Sequence, residues 1–248
     1  MNLSNKNILI TGASSGIGRE LAIQLSERNC RLFLLARRKE LLNQLAFELN
    51  NQNVFTFQCD VSDRKNVASV FEKIRKISSI DAAILNAGLD KRGPFENTEL
   101  ADKILGVNIM GLIYCVEELL SDFKKRGEGI IAGVSSLAEV RGFPKSGFYC
   151  ASKAAASIFL ESIRIELKLY KIKVITIKPG FVKTPMTAKN KFFMPFLMDV
   201  EKAARIIIKG IEKEKKIIQF PFRLVVLAKL VKILPDSLFD FFSSKVKE

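Results

Sequence analysis

Thr11-Gly12-Ala13-Ser14-Ser15-Gly16-Ile17-Gly18 ends an apolar run at residues 7–11 and opens a segment of helical period at 17–28. Glycines in Gly-x3-Gly-x-Gly spacing between a strand and a helix let the backbone approach a pyrophosphate, and the helix N-terminus adds N–H groups and positive potential. Outward from this loop, short β-branched or aromatic runs at 31–36, 54–58, 82–85, 129–134, 173–178 and 216–220 alternate with longer segments such as 39–50, 65–77 and 149–170. Strand and crossover helix in repetition predict an α/β fold with a doubly wound, mostly parallel sheet covered on both faces. Polar punctuation follows the strands at 12–18, 86–88, 135–136 and 179–180, which in an open α/β sheet is the ligand-binding edge. No repeat or linker divides the chain. A single domain at 1–220 with a helical, amphipathic C-terminal extension at 221–248 is expected.

The 248 residues are 48% hydrophobic and 27% charged, with 40 Lys and Arg against 26 Asp and Glu, a net +14. Such a chain buries a full core and suits an anionic partner. Histidine is absent, which removes Ser-His and Cys-His nucleophile pairs, HExxH zinc sites and imidazole bases. Proton transfer must fall to Tyr, Lys, Asp, Glu or Cys. Cys30, Cys59, Cys115 and Cys150 form no CxxC pair, so buried thiols are expected and no metal site. The N-terminal apolar run is shorter than a signal-peptide core, and the later run at 224–234 is broken by Lys229 and Lys232, short of the roughly 20 residues of a spanning helix. A cytoplasmic protein is expected, with association on the cytoplasmic face of a membrane as the alternative.

Tyr149 and Lys153 stand at i and i+4, one helical turn apart on one face. A free Tyr titrates near 10, too high for a proton shuttle at neutral pH, and an adjacent ammonium favours the phenolate and lowers that value. Ser136, from the end of another strand, is placed to hydrogen-bond a substrate oxygen and hold it against Tyr149. With the glycine loop, Asp60-Val61, Asn86-Ala87-Gly88, Val107-Asn108, Ser136 thirteen residues before Tyr149, the YxxxK pair, and Pro179-Gly180 followed by Thr184, the sequence resembles the short-chain dehydrogenase/reductase family over nearly its whole length. The resemblance implies a Rossmann fold and a nicotinamide cofactor held by Gly12, Ser14, Ser15, Gly16, Ile17, Gly18, Arg37, Arg38, Asp60, Val61, Asn86, Ala87, Gly88, Tyr149, Lys153, Pro179, Gly180, Val182 and Thr184. It implies a catalytic group of Asn108, Ser136, Tyr149 and Lys153, in which Asn108 positions a water that relays protons to Lys153, and a homodimer, or alternatively a homotetramer. Glu139 departs from the family, which usually has glycine there, and as a loop residue facing substrate it bears on substrate class.

An acidic residue at the end of the second strand would hold the ribose 2′-hydroxyl of NAD. Here Ala36 is followed by Arg37, Arg38 and Lys39, cations at the wrong end of a helix dipole that a 2′-phosphate would satisfy. NADP(H) is the expected cofactor, with Arg37 its main contact. Residues 186–200, rich in Phe and Met around Pro195, correspond to the family's substrate flap, so Ser136, Tyr149, Phe181 and Met186 are expected to meet a lipophilic carbonyl or alcohol, with core packing or an oligomer contact as the alternative for the segment. The tail places Leu224, Leu227, Ala228, Val231 and Leu234, then Phe239, Phe242 and Val246, at helical spacing, with 11 basic and 6 acidic residues from 201 onward. Such a tail can meet an anionic membrane surface, cap the core or pair subunits. No nucleic-acid partner is expected, because basic residues are not interleaved with stacking aromatics. The leading reading is an NADP(H)-dependent oxidoreductase that interconverts carbonyl and alcohol; a catalytically silent NADP(H)-binding sensor or scaffold is the alternative.

Overall fold

The computed structural model describes residues 2–190 and 192–244. Among these, β1 (Asn7–Thr11), β2 (Arg31–Ala36), β3 (Val54–Gln58), β4 (Ala82–Leu85), β5 (Ile130–Val134), β6 (Lys173–Pro179) and β7 (Ile217–Phe220) form one all-parallel sheet in the order β3-β2-β1-β4-β5-β6-β7. Strand order reverses between β1 and β4, so their C-terminal ends open the crevice where such sheets bind ligands.

The helices α1 (Gly16–Ser26), α2 (Lys39–Leu49) and α7 (Val200–Glu212) cover one face. Leu21, Leu25, Ala203 and Ile207 pack there on Ile8, Ile10, Leu32 and Leu34. The other face carries α3 (Arg64–Arg75), α5 (Gly111–Arg126) and α6 (Gly147–Glu166). Val67, Phe71, Leu119 and Leu160 meet Leu9, Phe33, Leu35 and Ile131 on that side. Residues i and i+2 of each strand thus serve one core and i+1 the other, the arrangement that continuous apolar strands require.

Two stretches refine the expected helices. The segment expected to run to residue 170 ends as α-helix at Glu166 and tightens into a 3₁₀ turn, Leu167–Tyr170. Before α5, α4 (Thr98–Leu105) is joined to it by a π-helical turn, Gly106–Met110. The run Thr98–Arg126 is long and apolar enough to cross a membrane by length and composition, yet Leu112, Cys115, Val116, Leu119 and Phe123 are buried against the sheet.

The extension forms α8 (Phe222–Ile233) and α9 (Asp236–Ser243). Leu224 and Val225 are buried with Leu137 and packed against Phe181, so α8 leans on the body beside the segment after Ser136. Of the second expected stripe, Phe239 is buried edge-on against Phe143 at 5.8 Å under the Arg141 guanidinium, whereas Phe242 is exposed. Val246 lies outside the described residues. All four cysteines are buried and free.

Candidate active site

The β1–α1 loop is shaped by close approach. Gly12 sits at φ +67° and Gly16 at φ +57°, and a Cβ built on Gly18 would lie 2.4 Å from the Gly12 carbonyl oxygen, so an alanine there would displace the loop. Ser15, the N-cap of α1, makes no side-chain capping bond, which leaves the first N–H groups of the helix available to an anion. Arg38 donates to Ser14 Oγ at 2.9 Å and Ser15 Oγ at 2.7 Å, drawing its guanidinium onto the loop. These residues fit the pyrophosphate of a dinucleotide. Arg37, expected to be the main contact, is 57% exposed and 3.8 Å from Asp60 Oδ2, so both arginines flank the end of β2.

The second edge cluster closes the crevice. Asn86 Nδ2 donates to Thr11 O at 3.1 Å, and Ala87 N donates to Thr11 Oγ1 at 3.0 Å, tying the β4 turn to the end of β1. Asp60 is bonded to Ser62 through Oδ1. Val61 and Val182 are buried in the two cores at the crevice edge. Gly180 N donates to Phe220 O at 2.7 Å beyond Pro179, and Thr184 places its methyl 3.2 Å from where a Gly16 Cβ would be. Ile17 is half-buried at the start of α1.

The residues expected to act together are brought together. Asn108 lies on the π-helical turn, a feature that recurs at functional sites because its extra residue re-aims side chains. Its Oδ1 accepts from Leu89 N at 2.7 Å, while Nδ2 donates to Leu89 O at 3.0 Å and Ser152 Oγ at 2.9 Å. Asn108 therefore clamps the backbone after Gly88 to α6, a positioning role that motif spacing did not reveal. Lys153 is buried, donates from Nζ to Val134 O at 2.9 Å and lies 5.8 Å from the Tyr149 ring centroid. Ser136 lies near enough to Tyr149 to favour its ionised form in part, and it caps the short 3₁₀ turn Leu137–Val140 by accepting from Ala138 N.

The electrostatics of the pair are dominated by burial. Burial raises the Tyr149 hydroxyl well above its ordinary value, Ser136 opposing it only in part, so in the protein alone the phenol keeps its proton. Burial also brings Lys153 down to about 8, with the charge of Asp90 acting in the opposite direction. Burial is the largest influence on both groups, which leave water together.

Glu139 departs from expectation. Instead of facing substrate it turns inward: Oε1 accepts from Lys178 Nζ, and Oε2 accepts from Ser157 Oγ and lies 2.9 Å from Ser135 Oγ. A cation arriving from β6 supplies the partner that draws it in. On the substrate side, Phe181 meets Phe192 edge-on at 5.9 Å, and Arg92 lies over the Phe192 ring at 5.1 Å while donating to Pro144 O. Met186, in the same stretch of chain, is 39% exposed. Asp90 and Arg92 escaped the sequence reading; their one signal was charge placed four and six residues after Asn86, beyond the end of β4.

The chain matches the family model described as short chain dehydrogenase over residues 6–193. It is 36% identical over 247 residues, 96% of either chain, to an uncharacterized oxidoreductase of Myxococcus xanthus. Among solved structures it is similar to an alcohol dehydrogenase of the archaeon Thermococcus sibiricus complexed with 5-hydroxy-NADP (25% identity, TM-score 0.76, 87% of this chain and 94% of that one). It is also similar to the 3-ketoacyl-(acyl-carrier-protein) reductase of Brucella melitensis complexed with NADH (27% identity, TM-score 0.76, 82% and 89%).

Proposed function

The chain belongs to the short-chain dehydrogenase/reductase family, and we propose that it is an NADP(H)-dependent oxidoreductase interconverting a lipophilic carbonyl compound and its alcohol. The observation that carries this reading is the convergence of Ser136, half-buried Tyr149 and buried Lys153 at the sheet edge beside the glycine loop. A bound nicotinamide supplies the hydride. Ser136 and Tyr149 then hold the substrate oxygen between them, and Tyr149, protonated in its buried setting, gives that oxygen its proton in the direction of reduction. Phe181, Phe192 and Met186 give the site an apolar wall. A silent sensor of the same fold would need no such pairing of Ser136 with Tyr149.

The preference for the 2′-phosphorylated cofactor rests on Arg37 and Arg38 where an acidic residue would select NAD. A charge-assisted hydrogen bond contributes about 1.5 to 3 kcal/mol, so NADPH should bind at least about tenfold more tightly than NADH. The chain has no Trp, and fluorescence of the reduced cofactor can be titrated against a quiet background. Arg37→Asp is expected to weaken NADPH far more than NADH. Arg38→Ala should weaken both, because it also releases Ser14 and Ser15. Equal affinities in the wild type would refute the preference.

For location we propose a cytoplasmic enzyme, a homodimer, whose α8–α9 face rests on an anionic bilayer. Phe222 and Ile233 are 79% and 77% exposed, α8 carries Arg223, Lys229 and Lys232 without an acid, and Arg223 lies over the flap residue Phe196 at 6.0 Å. Contrary to the expected amphipathic tail, α8 barely separates apolar from charged residues around its axis, so the reading rests on its exposed apolar side chains lying among cations. Deleting α8 would expose Leu137 and Phe181, so Phe222→Ser/Ile233→Ser is the better test. It should lower co-sedimentation with phosphatidylserine vesicles severalfold and leave neutral vesicles unaffected. Unchanged sedimentation, with a dimer that falls to monomer in light scattering, would make this face a subunit contact.

A further inference from the structure

Asp90 has a carboxylate oxygen, Oδ1, that is buried and without a hydrogen-bond partner. A buried polar atom left unpaired is costly, and each instance asks for a reason. Asp90 follows Leu89, whose N–H and C=O are both held by Asn108. Gly88, one residue earlier, passes so close to the catalytic lysine that a Cβ built there would lie 3.4 Å from Lys153 Nζ and 3.6 Å from Asn108 Oδ1. The Asn108 clamp thus fixes the short backbone that leads from Gly88, close to the Lys153 ammonium, to Asp90; that ammonium has three protons and a hydrogen bond to Val134 O.

We propose that Asp90 is a positioning residue: its carboxylate is the countercharge that keeps Lys153 an ammonium inside the protein, and through Lys153 it governs the proton on Tyr149. The other groups around Lys153 do not replace it. From α6, Tyr149 is neutral and Cys150 a thiol raised by burial. From the β5 side, Ser135 is uncharged, and Glu139 is engaged by Lys178 from β6. From the π-helical turn, Asn108 is uncharged; within the Asp90 loop, Arg92 is cationic and acts on Asp90 itself. The coupling is reciprocal: burial raises the Asp90 carboxyl while Arg92 and Lys153 pull it down, and Asp90 opposes the fall of Lys153. An ion of either sign stays charged in such a place only with a partner close by.

The consequence for catalysis rests on the oxidoreductase reading; the electrostatics do not, and the test separates them. In protein labelled with ¹³Cε-lysine, the Lys153 resonance, identified by its loss in Lys153→Arg, is titrated in the wild type, Asp90→Asn and Asp90→Glu. Removal of one opposite charge should cut the protonated fraction of Lys153 at pH 8 about fivefold in Asp90→Asn, with Asp90→Glu near wild type. In steady-state reduction with NADPH, kcat of Asp90→Asn should fall away at lower pH than that of the wild type. A moved Lys153 titration supports the inference even if no carbonyl compound is turned over, an outcome that would sink the oxidoreductase reading alone. An unmoved titration in folded Asp90→Asn overturns it, and a KM that rises only for substrates bearing an extra hydroxyl would then mark Asp90 as a substrate ligand.

Discussion

Tyr149→Phe should lower kcat for carbonyl reduction by about 10²- to 10⁴-fold, the range contributed by a positioned general acid, while the affinity for NADPH stays within a few fold of wild type. The substitution removes the hydroxyl and leaves the ring, so packing in the buried site is retained. What is lost is the proton donor that, with Ser136, would hold the substrate oxygen. In barrier terms the loss is about 3 to 5 kcal/mol. Burial favours the neutral phenol over the phenolate, so the wild-type residue enters the reducing direction carrying the proton it must give. Steady-state rates with a panel of lipophilic ketones and aldehydes, alongside fluorescence titration of NADPH, check both halves. Turnover equal to wild type with intact binding would remove Tyr149 from the chemistry; NADPH binding with no turnover in the wild type itself would make the silent sensor the better account.

Glu139→Ala should destabilise the fold by about 3 to 5 kcal/mol, the cost of leaving one member of a buried ion pair alone. The Lys178 and Glu139 side chains are only 17% and 14% exposed, and the carboxylate also serves Ser157 and Ser135. Removing it strands the Lys178 ammonium beneath the segment that begins with Ser136. The double variant Glu139→Ala/Lys178→Met removes both charges and should recover most of the loss, because two well-packed apolar groups often replace a buried pair at little cost. Urea denaturation midpoints of the wild type, single and double variants decide the matter. A single variant as stable as wild type would show that the pair adds nothing to the fold.

The layout of the molecule was readable from local pattern. Runs such as 31–36 and 54–58 became strands, and the edge clusters at 12–18, 86–88, 135–136 and 179–180 meet at one crevice as expected. Tyr149 and Lys153 fall on one face of α6 because a helix fixes the i, i+4 relation whatever surrounds it. Other features depended on neighbours distant in sequence. Glu139 was read as part of a loop that faces substrate; its carboxylate turns inward because Lys178, 39 residues later, meets it there. The stripe from Leu224 to Leu234 predicted a helix, but which residues it buries was decided by Leu137 and Phe181.

The sequence by itself determined the order of strands and helices, the glycine loop and the identity of the residues that carry the proposed chemistry, because periodicity, backbone freedom and side-chain type are local properties. Tertiary structure alone decided the desolvation of Tyr149 and Lys153, the clamp of Asn108 on Leu89, the inward turn of Glu139 and the burial of the Asp90 carboxylate oxygen. Those depend on which groups leave water together and which charges they meet on leaving it, and neither is set until segments far apart in the chain have packed.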